Sequence, residues 1–365
     1  MSSDKPSFLR DIWYFAMPGA ELKPGTLRHA VLLGEPVVFG RTREGEVFAL
    51  RDLCPHRGVP LSRGRLLGKG DKAVGETVAA AEVECPYHGW RFRTDGRCAA
   101  IPSLVPGQDV ETSRIRVPAY AVHESQGVVW IHFGSQTDRL GETPAPRSAT
   151  PLLPGIGETA RPRLIERKRF ACHVDHAVIG LMDPAHGPFV HRSWWWRSEA
   201  SIHEKAKRFG PSELGFTMLE HRPSKNSGAY KILGGTPTTE IAFRLPGIRT
   251  ELVRIGEKCV LSLTAVTPIA EEETEVTQIF YWTLPWLDVA RPVVRAFARA
   301  FLKQDHDMVM LQKEGLAFNP RLMLINDADV QAKWYFRLKK VWEEAREANE
   351  PFVNPVEPVT LRWRS

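Results

Sequence analysis

Two thiols and two imidazoles stand in matched pairs near the start of this chain, as Cys54-Pro-His56 and Cys85-Pro-Tyr-His88-Gly-Trp. Donors in the order Cys-His, Cys-His can ligate a two-iron, two-sulfur cluster, with both Cys on one iron and both His on the other, so each loop gives one ligand to each iron. That chemistry is electron transfer. A structural zinc site uses the same donors, but its usual form is a close Cys pair followed by a close His pair, which this order does not match. Pro55 and Pro86 directly follow the Cys, and Gly58 and Gly89 lie at or just past the His, residues that suit tight metal-cradling turns.

A second set follows in Leu181-Met-Asp183-Pro-Ala-His186-Gly-Pro-Phe-Val-His191. Asp183 and His186 would share a helical face, whereas His191 would sit about 140° from His186 on an ideal helix. Pro188 is expected to bend that helix and swing His191 back. Two His and a carboxylate form the facial set of oxygen-activating ferrous sites. A helix expected from about Pro292 to Gly315 offers Asp305 and Asp307 as third ligand. Asp305 falls at helical spacing with Val294, Phe297, Phe301, Met308 and Gln312, on the stripe expected to face inward. Asp307 continues the ridge Arg295, Arg299, Lys303 and can pair with Lys303 on a solvated face. A carboxylate on a buried stripe must be paired or metal-bound, which selects Asp305. A neighbouring group, Cys172, His173, Asp175 and His176, reads as a polar strand end or helix start.

The elements that position these residues fall into two parts. Short strands broken by turns, such as Val37-Val-Phe-Gly, Val47-Phe-Ala-Leu-Arg and Val128-Val-Trp-Ile-His-Phe-Gly134, predict antiparallel all-β structure over about 30–135. Residues 135–160, rich in Pro, Gly, Thr and Ser, read as a linker, which sets expected domains of 1–150 and 151–365. Beyond them, longer strands around Ile241, Cys259 and Val276–Trp282 alternate with helices, an α+β pattern. The last helix is expected from about Asp329 to Ala348.

With 365 residues, 43% hydrophobic and 25% charged, the chain has room for two cores. Cys98, Cys172 and Cys259 are scattered rather than framed as disulfides, which points to a reducing, cytoplasmic setting. Met-Ser-Ser-Asp-Lys-Pro carries no apolar signal core, and no apolar run approaches the roughly 20 residues of a spanning helix. The net charge of +6 admits an acidic partner. Arg51, Arg57, Arg63, Arg65, Arg91 and Arg93 gather near the cluster ligands, where such a protein would dock, and no nucleic-acid module is visible.

On these motifs the chain resembles the Rieske-type non-haem iron oxygenases, the aromatic ring-hydroxylating family, and their terminal oxygenase alpha subunits. The resemblance implies an N-terminal all-β Rieske [2Fe-2S] domain followed by an α+β helix-grip (START-like) catalytic domain with an antiparallel sheet. It assigns Cys54, His56, Cys85 and His88 to the cluster, and His186, His191 and Asp305 to a mononuclear Fe(II). Asp183 would join the iron His of one subunit to the cluster residue His88 of the next in a head-to-tail homotrimer. Electrons would come from NAD(P)H through a separate ferredoxin or flavin reductase, O2 would be the co-substrate, and a small, apolar, ring-containing substrate would be hydroxylated or demethylated. The phrases Met-Asp-Pro-Ala-His and Phe-Val-His look most like members acting on larger ring systems and demethylation substrates. A cis-dihydroxylating dioxygenase and a pure Rieske-type electron carrier are the alternatives.

The chain departs from the family pattern in two places. The 28 residues between His56 and Cys85 exceed the usual spacing, and the excess, Leu67 to Thr77, reads as an exposed polar insertion. Ile179 and Gly180 stand where the family often has an Asn. Trp194, Trp195 and Trp196, followed by Arg197, and also Phe189, Phe280, Trp282 and Trp286, could line an apolar pocket or an interface.

Overall fold

Runs such as Val37-Val38-Phe39 and Val128–Ile131, wholly buried, are long enough only for strands, and the first compact unit, Arg10–Pro151, is built from them. The computed structural model describes residues 8–105, 107–108, 110–134, 145–191, 202–223 and 233–365. In the first unit the strands are β1 (Ile12–Pro18), β2 (Thr26–Leu32), β3 (Glu35–Arg41), β4 (Val47–Arg51), β5 (Arg65–Leu67), β6 (Lys72–Ala73), β7 (Glu76–Thr77), β8 (Glu82–Glu84), β9 (Arg91–Arg93), β10 (Cys98–Ala100), β11 (Ala119–Ser125) and β12 (Val128–Phe133). They form a six-stranded sheet in the order β1-β12-β11-β4-β3-β2 and a four-stranded sheet β10-β9-β8-β5. Strand formation begins earlier than expected: Ile12-Trp-Tyr-Phe pairs antiparallel with β12.

The insertion is more ordered than its composition suggests. β6 and β7 form a hairpin, and Leu67, Ala73 and Val78 bury a small apolar cluster beneath it. Asp71 takes both guanidinium nitrogens of Arg43, and Glu76 reaches Arg91 at 2.5 Å. Lys, Glu and Asp therefore face outward from the hairpin while three apolar side chains hold it down.

The second unit comprises Leu152–Ser365 together with Phe8 and Leu9 at the start of the described chain. Its strands are β13 (Leu164–Phe170), β14 (Glu204–Ser212), β15 (Gly215–His221), β16 (Thr238–Arg244), β17 (Ile248–Ile255), β18 (Lys258–Ala270), β19 (Glu273–Trp282) and β20 (Val359–Arg364). All pair antiparallel, in the order β13-β19-β18-β17-β16-β15-β14-β20. The helices are α1 (Val174–Met182), α2 (Gly187–Val190), α3 (Trp286–Val289), α4 (Arg291–Leu316) and α5 (Val330–Glu347). The mixed α+β class expected for this half is what forms. Residues read as a linker are partly built in, since Leu153 is buried and Cys259 Sγ donates to the Gly155 carbonyl at 3.3 Å.

α4 buries Ala298, Leu302 and Val309, a stripe displaced by one position from the one expected, and Met308 is 43% exposed. Asp305 falls on the buried row, because 298, 302, 305 and 309 step by four, three and four. On the adjoining ridge Arg295 and Arg299 both pair with Glu166 of β13, at 2.9 and 2.8 Å, so two of the cations expected in solvent instead fasten the helix to the sheet. Lys303 pairs with Asp307 at 2.5 Å as the i, i+4 spacing predicts.

Candidate active site with two metal centres

Each sheet of the first unit delivers one ligand loop, the first leaving β4 and the second joining β8 to β9. The loops have the same hydrogen-bond plan. Cys54 N–H donates to the Val59 carbonyl and Gly58 N–H to the Cys54 carbonyl, while Cys85 N–H donates to the Trp90 carbonyl and Gly89 N–H to the Cys85 carbonyl. Gly58 and Gly89 adopt φ of +68° and +69°, a left-handed conformation that only glycine takes cheaply and that turns the chain back over the Cys. The outcome is two superimposable Cys-Pro-x-x-Gly turns.

Both thiols are buried, and burial pushes Cys54 up to about 11, with Cys85 as its hydrogen-bonding neighbour. Burial disfavours the Cys54 thiolate unless a cation compensates it, which is what a bound iron would provide. The His56 and His88 rings lie 4.7 Å apart, and His56 stacks on Trp90 at 4.7 Å and 7°. Two buried sulfurs with two converging, more exposed imidazoles fit a cluster with one iron on each kind of donor. The loop is held from below by Asp52, fully buried, which accepts from Ser62 N–H and Oγ–H and sits 2.6 Å from His29 Nδ1. Of the six arginines nearby, Arg65 is spent on Glu84 and Arg91 on Glu76 and Glu82. Arg57, Arg63 and Arg93 remain exposed without an ion pair among the described residues.

In the second unit the helix carrying Asp183 does not bend; it stops. Asp183 has ψ of 121° and caps α1, because the ring of Pro184 pushes the residue before it out of the helical region. Pro188 then lies in the first turn of a new short helix, α2, where a missing N–H costs nothing. The expected kink at Pro188 is therefore replaced by a break at Pro184, and α2 delivers His186 and His191 at its two ends.

Those imidazoles converge. His186 Nε2 and His191 Nε2 are 3.1 Å apart, and Asp305 Oδ1 lies 3.1 Å from His191 Nε2 and 3.7 Å from His186 Nε2. About 3 Å is the separation of adjacent ligands on a metal with bonds near 2.1 Å at right angles. Two facing imidazole nitrogens cannot both be donors or both be bare acceptors at that distance without cost, and a shared cation removes the conflict. These three groups form a cluster with metal-binding separations. His191, nearly buried, is oriented by Gln304, whose Oε1 lies 3.0 Å from His191 Nδ1. Donation from Nδ1–H leaves Nε2 free as ligand. Gln304 was not among the residues singled out in the sequence; its place one residue before Asp305 is the signal that could have found it.

Asp183 Oδ1 accepts from Ala185 N–H at 2.7 Å, and its other oxygen is 3.7 Å from His186 Nδ1, an atom that is buried and without a partner among the described residues. Burial pushes the Asp183 carboxyl up, against the pull of the Ala185 amide and His186. Burial also pushes His186 down, partly opposed by Asp305 and Asp183, which keeps the imidazole neutral and available to a metal. The group around Cys172 has a different use. His173 Nδ1 accepts from Asp175 N–H, capping α1, and Asp175 Oδ1 accepts from Tyr335 Oη–H and Lys339 Nζ–H, both at 2.6 Å, tying α1 to α5.

The three groups open onto a cavity of 1160 Å³ between one face of the eight-stranded sheet and α4. Phe280, Trp282 and Trp286 line it, with Phe297 and Phe301 from α4. Phe189 is 56% exposed and is not part of the lining. Trp194–Trp196 and Arg197 lie outside the described residues.

Paired Cys-His loops on a β scaffold, and a separate two-His, one-carboxylate centre on an apolar cavity, define an iron–sulfur protein with a second metal site. Residues 12–121 match the family model for the Rieske [2Fe-2S] domain, so the chain contains a Rieske domain. It is 28% identical over 251 residues to the oxygenase component of dicamba O-demethylase from Stenotrophomonas maltophilia, covering 67% of this chain and 62% of that protein. It is 33% identical over 192 residues to chlorophyllide a oxygenase of Chlamydomonas reinhardtii and 36% over 129 residues to the oxygenase subunit of 3-chlorobenzoate-3,4-dioxygenase of Comamonas testosteroni. The matches cover 52% and 35% of this chain but only 25% and 27% of those relatives' lengths. Dicamba monooxygenase bound to dicamba superposes with a TM-score of 0.67 at 21% identity, covering 93% of this chain and 99% of that one. NdmA of Pseudomonas putida CBB5 with caffeine gives 0.70 at 19%, covering 98% of both. These structures establish the fold. The Rieske domain takes a [2Fe-2S] cluster, and His186, His191 and Asp305 are placed to hold a single metal ion.

Proposed function

We propose that the chain is the terminal oxygenase component of a multicomponent Rieske oxygenase that hydroxylates or demethylates an apolar, ring-containing molecule. One observation carries this reading: the His186, His191 and Asp305 donors converge at the wall of a large apolar cavity, an arrangement with no use in a pure electron carrier. Iron held by those three residues would supply the activation of O2 that side chains alone lack. The protein's own contribution is placement. Gln304 sets the His191 tautomer, the Asp183 carboxylate stands ready to take the proton of His186 Nδ1–H as a hydrogen bond, and Phe297 and Phe301 keep water from the substrate face of α4.

Asp183 would link His186 to His88 of a neighbouring copy in a homotrimer, and exposed Arg57, Arg63 and Arg93 would meet an acidic ferredoxin or reductase domain that passes on electrons from NAD(P)H. No helix among the described residues is long and apolar enough to cross a membrane, and the three thiols outside the cluster loops, Cys98, Cys172 and Cys259, none in a disulfide, suit a reducing compartment such as the cytoplasm. The O-demethylase relative favours monooxygenation over cis-dihydroxylation.

Iron analysis of anaerobically purified protein tests the reading. About two cluster irons and one further iron per chain are expected, and His186→Ala or Asp305→Ala should lose only the last, keeping the visible cluster spectrum while substrate-dependent O2 uptake disappears. Persisting turnover in either variant would overturn the site. Asp183→Asn should retain all the iron yet turn over far more slowly.

A further inference from the structure

Three neighbouring strands set polar side chains side by side in the cavity wall. Gln278 of β19 is directly opposite Thr264 of β18, and Thr264 is opposite Arg249 of β17. All three line the cavity, whose helical wall across from them is Val294, Phe297, Ala298 and Phe301. The Gln278 Oε1 atom is buried and has no hydrogen-bond partner among the described residues, which is unfavourable unless a ligand supplies one. Arg249 is already charge-compensated, its Nη2–H donating to Glu251 Oε2 at 3.1 Å.

The row and the triad border the same cavity. Gln278 pairs in register with Glu166, which Arg299 grips from α4, the helix that also carries Asp305.

We infer that Gln278, Thr264 and Arg249 are the recognition edge for a neutral ring compound carrying an N–H or O–H donor beside a carbonyl acceptor, a lactam being the simplest case. This rests on the reading of the cavity as a substrate site. The donor satisfies Gln278 Oε1, the carbonyl accepts from Arg249 or Thr264, and the ring packs on Phe297 and Phe301. A carboxylate fits worse, since it offers Gln278 Oε1 no proton and approaches Glu251 as a like charge.

Calorimetric titration of the full chain with three bicyclic probes tests this without turnover. The probes are carbostyril, a lactam; its N-methyl derivative, which keeps the carbonyl and lacks the donor; and naphthoate. Carbostyril should bind about tenfold or more tightly than either of the others. Gln278→Leu, or the closer-shaped Gln278→Met if Leu disturbs folding as judged by circular dichroism, should erase the margin over the N-methyl derivative. Equal or tighter binding of naphthoate, no measurable carbostyril binding, or a margin that survives both Gln278 variants would overturn the assignment. The expected binding pattern with no O2 uptake by the iron-loaded protein, under any of the probes or a wider ring panel, would support the recognition edge and count against the oxygenase reading instead.

Discussion

An imidazole that binds a metal needs one nitrogen for it and something to hold the other, and Gln304 stands at Nδ1 of His191, where it would be that holder. The amide oxygen accepts from Nδ1–H, fixing the tautomer and the ring plane together. Removing such a support typically weakens metal binding by about 10–100-fold. Gln304→Leu should therefore show that loss in a ferrous-ion titration against a competing chelator, with the cluster spectrum unchanged, whereas Gln304→Glu, which keeps an acceptor oxygen, should retain much of the affinity. Equal weakening in both variants would mean that Gln304 matters only for packing. The donors that converge here could be picked out by residue type and spacing, because metal chemistry admits few donors. Gln304 could not, since any of several polar residues can support a histidine and its contact with His191 joins positions 113 apart in sequence.

At the scale of elements the chain's own punctuation decides more than its periodicity. Pro184 ends α1 and Pro188 starts α2, so His186 and His191 meet as the two ends of a four-residue helix, a geometry that a continuous or bent helix could not give. Local proline rules contain this answer; attention to Pro188 alone gave a kink in the wrong place. The all-β first unit, the α+β second unit and both long helices were legible because apolar runs, caps and stops agree there. The buried stripe of α4 was less so, since the cavity leaves Phe297 part-exposed and Glu166 recruits the arginine ridge. The hairpin β6–β7 was hidden by its charge: only Leu67, Ala73 and Val78 anchor it. Replacing residues 70–77 with a short Gly-Ser turn should leave the cluster spectrum intact but destabilise the first unit by roughly 1–3 kcal/mol, from lost apolar burial and from Arg91 left with Glu82 alone. Chemical denaturation followed at the cluster absorbance measures this, and loss of the cluster in native buffer would show that the hairpin shapes the ligand loops.

For the molecule as a whole, a net charge of +6 means that each proton gained at low pH adds to self-repulsion, and the first unit also contains a histidine that resists protonation. His132 is wholly buried on β12, neither ring nitrogen has a partner among the described residues, and Trp13 packs edge-on at 5.4 Å. Burial pushes its pKa below the ordinary histidine value, with the nearby Asp11 opposing only in part. The unfolded chain then binds this proton at higher pH than the folded one. Stability due to neutral His132 is complete above about pH 6.5 and is lost as pH falls from there through the depressed folded value, by up to about 1.4 kcal/mol per pH unit. The carboxylates that pair with arginine lose their contribution only at lower pH, whereas His56, His176, His186 and His221, also pushed down by burial, act in the same window, so the difference between wild type and a His132 variant is what isolates His132. Urea unfolding of metal-free protein at steps between pH 7.5 and 5, which removes the protonation of the metal ligands as a competing cause of metal loss, should show that slope in the wild type. It should be flatter in His132→Leu, which keeps the volume and cannot charge. Identical slopes in the two proteins would place the acid sensitivity elsewhere.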